Sequence, residues 1–326
     1  MPVLDSSYSA PWWVKNPHFN TIIPNRLRKF EGFTFNRYRL STPDGDFIDI
    51  DVAKASDKNQ PTAAILVHGL EGSSSSNYIY GMAEALLPHQ TDVFALNFRS
   101  CSGEPNLTVG SYHSGKTDDL GLLVQNIIEK GYTTIHIIGF SLGGNVSLLY
   151  AGQQGASMPK EVKNIVAIST PCHLASSVDV LHEKRNIIYL KRFIGQLKQK
   201  IDAKKELITQ SGISINLDSI QNFYDFDNMY TAPAHGFKDA SDYYESCSSL
   251  YQLENIAVPT LIINALDDTF LSEKCYPFEV AKNHEYVHLL APKNGGHVGF
   301  IEQRPLRNIQ WHEKQTLNFI HRKSGR

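Results

Sequence analysis

The run Gly139–Gly143 reads G-F-S-L-G, a G-x-S-x-G pattern that is typical of a nucleophilic serine at position 141. The apolar run Thr134–Ile138 before it predicts a buried strand, and Gly143–Gln153 after it predicts a helix. A residue at such a strand-to-helix turn has a strained backbone, so its neighbours two positions away must be small. The context therefore predicts that Ser141 attacks its substrate and forms a covalent intermediate.

A serine hydroxyl is a weak nucleophile unless a base removes its proton. His297 is the candidate base, because it follows the last predicted strand in the glycine-rich loop Lys293–Phe300. The glycines allow the imidazole ring to come close to the serine turn. We therefore expect activity to fall at acidic pH, where a protonated His297 cannot accept the proton.

Two aspartates, Asp267 and Asp268, directly follow the predicted strand Thr260–Ala265. The carboxyl end of a parallel strand is where such a sheet presents functional side chains. We favour Asp268 as the acid that orients His297, with Asp267 as its rival. The other carboxylate is expected to cap the turn or helix that follows.

A tetrahedral intermediate also needs hydrogen-bond donors for its negatively charged oxygen. The amide of Leu142, next to the serine, is the first expected donor. The second is expected in the loop His68–Gly72 after the strand Ala63–Val67, with Leu70 as the donor. His68 is expected to be architectural and not catalytic.

Strands alternate with helices along the chain, which predicts an α/β fold with a parallel sheet and helices on both faces. The first two strands flank a Pro-Asp-Gly turn and are expected to form an antiparallel hairpin at one edge. The predicted strands are Phe33–Leu40, Phe47–Val52, Ala63–Val67, Val93–Phe98, Thr134–Ile138, Asn164–Ser169, Thr260–Ala265 and Tyr286–Leu290. The predicted helices are Tyr78–Leu87, Thr117–Lys130, Gly143–Gln153, Ser272–Lys282 and Leu306–His321.

The long interval from 172 to 250 interrupts this rhythm and predicts a helical insertion within a single domain spanning residues 1–326. Its segment Asn186–Lys205 is basic and amphipathic. The favoured interpretation is a helix packed on the core. The same stripe could in addition line an acyl pocket beneath a cap, and docking of the basic face on a membrane is the least favoured alternative. The apolar stripe consists of Leu190, Phe193, Ile194, Leu197 and Ile201.

The 326 residues carry a formal charge of −2, with 41% hydrophobic and 20% charged residues, which favours neither nucleic acid nor an anionic membrane as partner. The four cysteines are widely spaced, and no cluster has metal-ligand spacing, so no disulfide framework, metal or cofactor is expected. The chain lacks a signal-like N-terminus and an apolar run of membrane-spanning length. We expect a cytoplasmic monomer.

Several motifs together resemble the YheT-like, ABHD-related branch of the α/β-hydrolase fold. The resemblance covers nearly the whole chain. It departs from the family at Asn20, where glutamine is usual, and at Ser100, where glycine is usual. The motifs are Asn16–Pro24, His68–Ser74, Asn97–Asn106, Tyr112–Gly115, Gly139–Asn145, Thr231–Phe237 and Asn264–Asp268.

The resemblance implies a mostly parallel eight-stranded sheet with a helical cap. It also implies a cofactor-free carboxylesterase or lipase acting on short- to medium-chain acyl esters, with Ser141, Asp268 and His297 as nucleophile, acid and base. An acyltransferase or thioesterase with the same triad, and a catalytically silent binding protein, remain alternatives. An H-x4-D pattern, linked with acyl transfer in some relatives, occurs at His113 and Asp118. The favoured interpretation is that His113 packs beneath the serine turn and Asp118 begins a helix.

Overall fold

Runs rich in β-branched and aromatic residues form the central β-sheet. The computed structural model describes residues 3–28, 30, 32–55, 61–302 and 309–322. The strands found there are β1 (Val3–Leu4), β2 (Asn36–Ser41), β3 (Phe47–Ala53), β4 (Thr62–Val67), β5 (Asp92–Asn97), β6 (Thr134–Phe140), β7 (Val162–Ile168), β8 (Thr260–Ile263) and β9 (Val287–Leu290). Within these described residues they form one nine-stranded sheet in the order β1-β9-β8-β7-β6-β4-β5-β3-β2.

The sheet is mostly parallel, as the alternation of strands and helices predicts. Only β2 and β3 run antiparallel to their neighbours, and β2 forms the sheet edge. They are joined by a tight turn in which the Gly45 amide donates to the Thr42 carbonyl at 3.0 Å. Gly45 has a φ of 79°, which glycine adopts without strain. The predicted edge hairpin is confirmed.

The expected number of eight strands is wrong by one. The additional strand is β1, whose Val3 and Leu4 pair in parallel with Leu289 and Leu290 of β9. A two-residue strand has no periodicity that could distinguish it from a loop. Only its pairing with the edge of the sheet defines it.

The helices cover both faces of the sheet. Apolar residues of α3, α4 and α11 pack in one core cluster, and those of α2 and α12 pack in a second cluster on the opposite face. In the described part of the chain, no helix combines the length and the hydrophobicity needed to cross a bilayer. The helices are α1 (Pro17–Leu27), α2 (Asn77–Leu86), α3 (Asp118–Glu129), α4 (Leu142–Gln154), α5 (Leu174–His182), α6 (Ile187–Asp202), α7 (Lys205–Gln210), α8 (Phe223–Phe226), α9 (Ala232–His235), α10 (Ala240–Cys247), α11 (Phe278–Asn283) and α12 (Trp311–Ile320).

Two predicted helices have different bounds in the structure. The predicted helix Ser272–Lys282 is divided into a short 3-10 turn, Glu273–Cys275, and α11, because Pro277 between them has no amide donor. The predicted helix Leu306–His321 begins only at Trp311, after a capping box formed by Gln310 and Glu313. Residues 303–308 lie outside the described residues.

The interval between β7 and β8 holds six helices, α5 to α10, which share a core cluster of their own. In α6 the predicted stripe is buried at Leu190, Ile194, Leu197 and Ile201. The amphipathic helix is therefore confirmed, but its stripe packs in the cluster of this interval and not in either cluster on the sheet; Phe193 is only partly buried there.

Candidate active site

Ser141 occupies a sharp turn between β6, which ends at Phe140, and α4, which begins at Leu142. Its φ of 53° and ψ of −120° lie outside the regions that L-residues normally populate. The Ser141 amide donates to the Ile168 carbonyl at 2.8 Å, which fixes the turn against β7. Such local strain is characteristic of functional sites.

The two glycines of the motif are required by close backbone contacts. A Cβ atom on Gly139 would collide with the carbonyl of Gly143 and with the Ser147 hydroxyl. A Cβ atom on Gly143 would collide with the carbonyls of Val67 and His68 at the end of β4. The turn at Ser141 therefore has no space for a side chain at either glycine position.

The structure brings Ser141, His297 and Asp268 together from three separate loops. His297 Nε2 lies 2.9 Å from Ser141 Oγ. His297 Nδ1 lies 2.9 Å from Asp268 Oδ2 and 3.1 Å from Oδ1. Both His297 and Asp268 are buried. The ring can therefore accept the serine proton on one nitrogen while the carboxylate orients the other.

Asp267 has a different role from the one expected of the second carboxylate. Its oxygens accept the Gly296 amide at 2.9 Å and the Asn294 side-chain amide at 3.1 Å. Asp267 therefore holds the loop that carries His297, and burial raises its pKa. The expected cap on the following turn is wrong for Asp267, because it is Asp268 Oδ1 that accepts the Phe270 amide, at 2.9 Å.

The two expected oxyanion donors, Leu142 and Leu70, line the same cavity as Ser141. Leu142 begins α4, and Leu70 lies in the loop after β4. The Leu142 amide is the first of α4 and has no acceptor among the described residues. The neighbouring amides Gly69 and Glu71 donate to the hydroxyls of Tyr78 and Tyr112, each at 3.0 Å. Between them, Leu70 has no acceptor for its amide in the described chain.

His68 is confirmed as an architectural residue. Its ring is fully buried, with Nδ1 2.7 Å from the Gly69 carbonyl and Nε2 accepting the Phe98 amide at 3.1 Å. Burial lowers the pKa of His68 to about 3, which keeps the ring neutral. Both nitrogens are thus used to join the β4 loop to the end of β5.

The N-terminal arm contacts the His297 loop, a contribution that the spacing of residues did not reveal. Thr21 Oγ1 accepts the His297 amide at 2.9 Å and donates to the Pro17 carbonyl at 2.8 Å. Asn20 Oδ1 accepts the Ile301 amide at 3.1 Å. The arm motif was the only signal for these contacts.

Two buried asparagines anchor the ends of the strands. Asn145, in the first turn of α4, donates to the carbonyls of Ser114 and Cys247 and accepts the Ser249 amide. Asn264, at the end of β8, exchanges hydrogen bonds with the backbone of Thr170. Both asparagines lie in motifs of the resemblance. The Asn145 partners named here are 31 to 104 positions away, and Thr170 is 94 positions from Asn264.

A largely apolar cavity of about 830 Å³ opens from Ser141 and His297 towards the interval between β7 and β8. Phe193 and Leu197 of α6 line it, so part of the amphipathic stripe faces the candidate nucleophile. Whether this cavity holds an acyl chain beneath a cap stays a prediction. Other lining residues are Leu70, Leu142, Leu174, Val178, Phe223 and Phe270.

His113 and Asp118 do not come together. His113 is partly buried among aromatic rings, with Nδ1 accepting the Gly115 amide at 3.1 Å, and it lines the apolar cavity. Asp118 is the first residue of α3, and its largely exposed side chain pairs with Lys116 at 3.1 Å. Asp118 begins a helix as expected, whereas the ring contacts of His113 are with the interval between β7 and β8. In the described segments, no three His, Cys, Asp or Glu side chains are grouped as metal ligands.

The mostly parallel sheet and the serine, histidine and aspartate contacts are typical of the α/β-hydrolases, and the comparison with a family model agrees. A family model described as "alpha/beta hydrolase fold" matches residues 63–303, and the chain belongs to this family. The solved structure of the esterase Pf2001 from Pyrococcus furiosus resembles the chain in fold, with a TM-score of 0.57 and 19% identity. The alignment covers 91% of this chain and 99% of that structure.

The resemblance to the YheT-like branch is confirmed as well. The Escherichia coli protein named "Putative esterase YheT" is 34% identical over 94% of this chain and 90% of its own length. Phospholipase ABHD3 of Bos taurus is 24% identical over 92% of this chain and 75% of its own length. The chain is thus an esterase- and lipase-type member of the α/β-hydrolase family.

Proposed function

We propose that the protein is a serine carboxylesterase that cleaves short- to medium-chain acyl esters through Ser141, His297 and Asp268. The observation that carries the proposal is the continuous set of contacts from Asp268 to His297 to Ser141, with each step at 2.9 Å. The names of the similar proteins, an esterase and a phospholipase, support an ester as substrate.

In the first half of the reaction, Ser141 Oγ attacks the ester carbonyl while His297 Nε2 takes its proton. The Leu70 and Leu142 amides stabilise the oxyanion that forms on the carbonyl oxygen. When the intermediate collapses, the carbon–oxygen bond to the alcohol breaks and His297 returns the proton to that alcohol. Asp268 stabilises the imidazolium without taking its proton.

In the second half, water replaces the alcohol. His297 removes a proton from the water, whose oxygen attacks the acyl carbon, and the same two amides stabilise the second oxyanion. Collapse breaks the bond to Ser141 Oγ and returns the proton to it, so the carboxylic acid leaves and the free serine is restored. The chain's own residues account for every proton transfer.

We propose further that residues 172–250 act as a cap within the single domain 1–326, and that the cap shapes the acyl pocket. Phe193 and Leu197 support this role, since both belong to α6 and both line the cavity beside Ser141. A largely apolar, partly enclosed cavity favours an acyl chain over a charged group.

The test is a panel of p-nitrophenyl esters with acyl chains of two to sixteen carbons, measured on wild type and Ser141→Ala. We expect Ser141→Ala to lose roughly 10⁴-fold or more in kcat/KM on every ester that the wild type cleaves. Unchanged thermal melting of the variant would exclude a folding defect. Equal hydrolysis by wild type and Ser141→Ala would contradict the proposal.

A further inference from the structure

The exposed apolar side chains of this protein are unevenly distributed. In the part of the chain that the structure describes, ten large apolar side chains are exposed, and seven of them lie in two short segments, residues 12–27 and 187–188. Trp12 is 83% exposed and Ile188 is 78% exposed. We call these seven side chains the apolar rim. They are Trp12, Trp13, Phe19, Ile22, Leu27, Ile187 and Ile188.

The two segments form one surface. His18 in α1 and Tyr189 in α6 are joined by a contact of 3.1 Å between Nδ1 and Oη, and their rings stack at 5.7 Å. This contact places the start of α6 directly against the N-terminal arm, so the two segments that carry the rim are neighbours in space. A clustered apolar surface of this kind marks an interaction site more often than single exposed residues do.

The charged side chains within the two segments of the rim all have one sign. Residues 12–28 and 184–201 contain no aspartate or glutamate, although the whole chain has a net charge of −2. The basic residues there include Arg26 and Arg192, both exposed and without an ion pair among the described residues. Both segments of the rim are therefore cationic, in contrast with the balanced composition of the chain.

Part of the apolar rim borders a cavity that reaches the candidate active site. A second, more polar cavity of about 1,290 Å³ has Ser141 and His297 in its wall. Ile22 and Ile188 of the rim, together with Arg26, line the same cavity. Whatever covers the rim would therefore face the proposed nucleophile directly.

We propose that the apolar rim and its arginines dock on an anionic lipid surface and bring the opening of the site against that surface. Tryptophan, isoleucine and phenylalanine insert at the boundary between headgroups and acyl chains, and arginine is attracted to anionic headgroups. A symmetric dimer through the rim would place the same cationic surfaces opposite each other, which disfavours a second copy as the occupant.

The test is flotation of the protein with two kinds of vesicle, phosphatidylcholine alone and phosphatidylcholine with phosphatidylglycerol. Ser141→Ala protein is used throughout, so that no lipid is hydrolysed. We expect binding to the anionic vesicles, weaker binding to the neutral ones, and release at high salt. Arg26→Gln/Arg192→Gln is expected to reduce both the anionic preference and the salt dependence.

A matched pair of variants tests the apolar part. Trp12→Ser/Phe19→Ser should weaken vesicle binding by about tenfold or more, since two exposed aromatic side chains can no longer be buried in the lipid. Leu107→Ser/Tyr251→Ser removes two exposed apolar side chains outside the rim and should bind like the parent protein. Equal binding by the two variants would overturn the proposal. It would also be overturned if the parent protein bound neither kind of vesicle.

Light scattering after size exclusion completes the test. A dimer that dissociates in Trp12→Ser/Phe19→Ser would show that the rim is a subunit interface, which would overturn lipid docking. Trp12 and Phe19 line neither cavity, so with Ser141 restored this variant should cleave water-soluble p-nitrophenyl acetate normally. Failure of lipid docking is therefore distinguishable from failure of the proposed esterase activity.

Discussion

Asp267 and Asp268 are adjacent in sequence, but their carboxylates contact the His297 loop in different ways. Asp268 lies 2.9 Å from the His297 ring, whereas Asp267 accepts the backbone amide of Gly296 at 2.9 Å. One carboxylate orients the imidazole, and the other holds the loop that carries it. Consecutive residues can do this because the turn after β8 sends their side chains in different directions.

The two aspartates are therefore expected to differ when each is replaced by asparagine. Asp268→Asn should lower kcat by about 10⁴-fold, because an amide neither selects the correct tautomer nor stabilises the imidazolium. Asp267→Asn retains an acceptor for Gly296 and should lose far less activity. Ester hydrolysis and thermal melting of both variants are the measurements. A larger loss of kcat in Asp267→Asn would reverse the assignment.

Thr21 is expected to be a positioning residue for His297. Thr21→Val removes the hydroxyl that accepts the His297 amide at 2.9 Å, so the loop can shift and kcat should fall by roughly tenfold with little change in KM. Thr21→Ser should restore kcat, because it retains the hydroxyl.

Thr209→Val is the matched control, since Thr209 also donates to the carbonyl four residues before it but is exposed and distant from the site. It should keep wild-type kinetics. If Thr21→Val and Thr209→Val gave the same kcat, or if Thr21→Ser failed to restore activity, the positioning role would be wrong.

The apolar cavity is expected to set the acyl chain length. Val178 of α5 lines it, whereas Val180 in the same helix does not. Val178→Phe should therefore shift the preference of the p-nitrophenyl ester panel towards shorter chains, and Val180→Phe should leave it unchanged. The comparison uses the ratio of kcat/KM for long and short esters in each variant. A similar shift in both variants would place the acyl chain elsewhere.

Asp227 is expected to make stability depend on pH. It is buried, accepts hydrogen bonds from Thr231 and Tyr244, and burial raises its pKa from 3.8 to about 6. Between pH 3.8 and about 6, the Asp227 carboxyl is ionised in the unfolded chain but still protonated in the folded protein. The free energy of unfolding therefore falls as the pH rises through this range. Above pH 6 the free energy of unfolding has fallen by a total on the order of 3 kcal/mol because of this one carboxyl group.

Urea unfolding of Asp227→Asn measures this effect. Relative to wild type, the variant should gain free energy of unfolding as pH rises from about 4 to about 7, because asparagine does not ionise. Asp218→Asn, an exposed aspartate of the same interval, should show no such trend. A constant difference between Asp227→Asn and wild type across this range would contradict the prediction.

Part of the fold could be predicted from local pattern. The buried strands and the helices α2, α3 and α4 were expected within about two residues of their bounds, because continuous apolar runs and helical spacing are properties of short segments. The strand β1 and the division before α11 were missed. In both cases the outcome depends on a pairing partner or on one proline rather than on periodicity.

The candidate site could also be predicted only in part from local pattern. Ser141 and its two glycines could be recognised because a strained turn limits the residues at fixed spacing around it. The contacts of Thr21 with His297, and of Asp267 with Gly296, join residues 276 and 29 positions apart. Sequence spacing carries no signal for such hydrogen bonds, since they form only after the elements are packed.

The sequence by itself determined the α/β class, the serine turn, the histidine loop and the pair of candidate acids, because each of these is encoded in a few neighbouring residues. Only the tertiary structure decided which aspartate faces the His297 ring. It also decided that α6 contributes Phe193 to the apolar cavity, and that Ile22 and Ile188, from two distant segments, line a second cavity beside Ser141. These relationships depend on where separate segments lie in space, and no local pattern of residues specifies that.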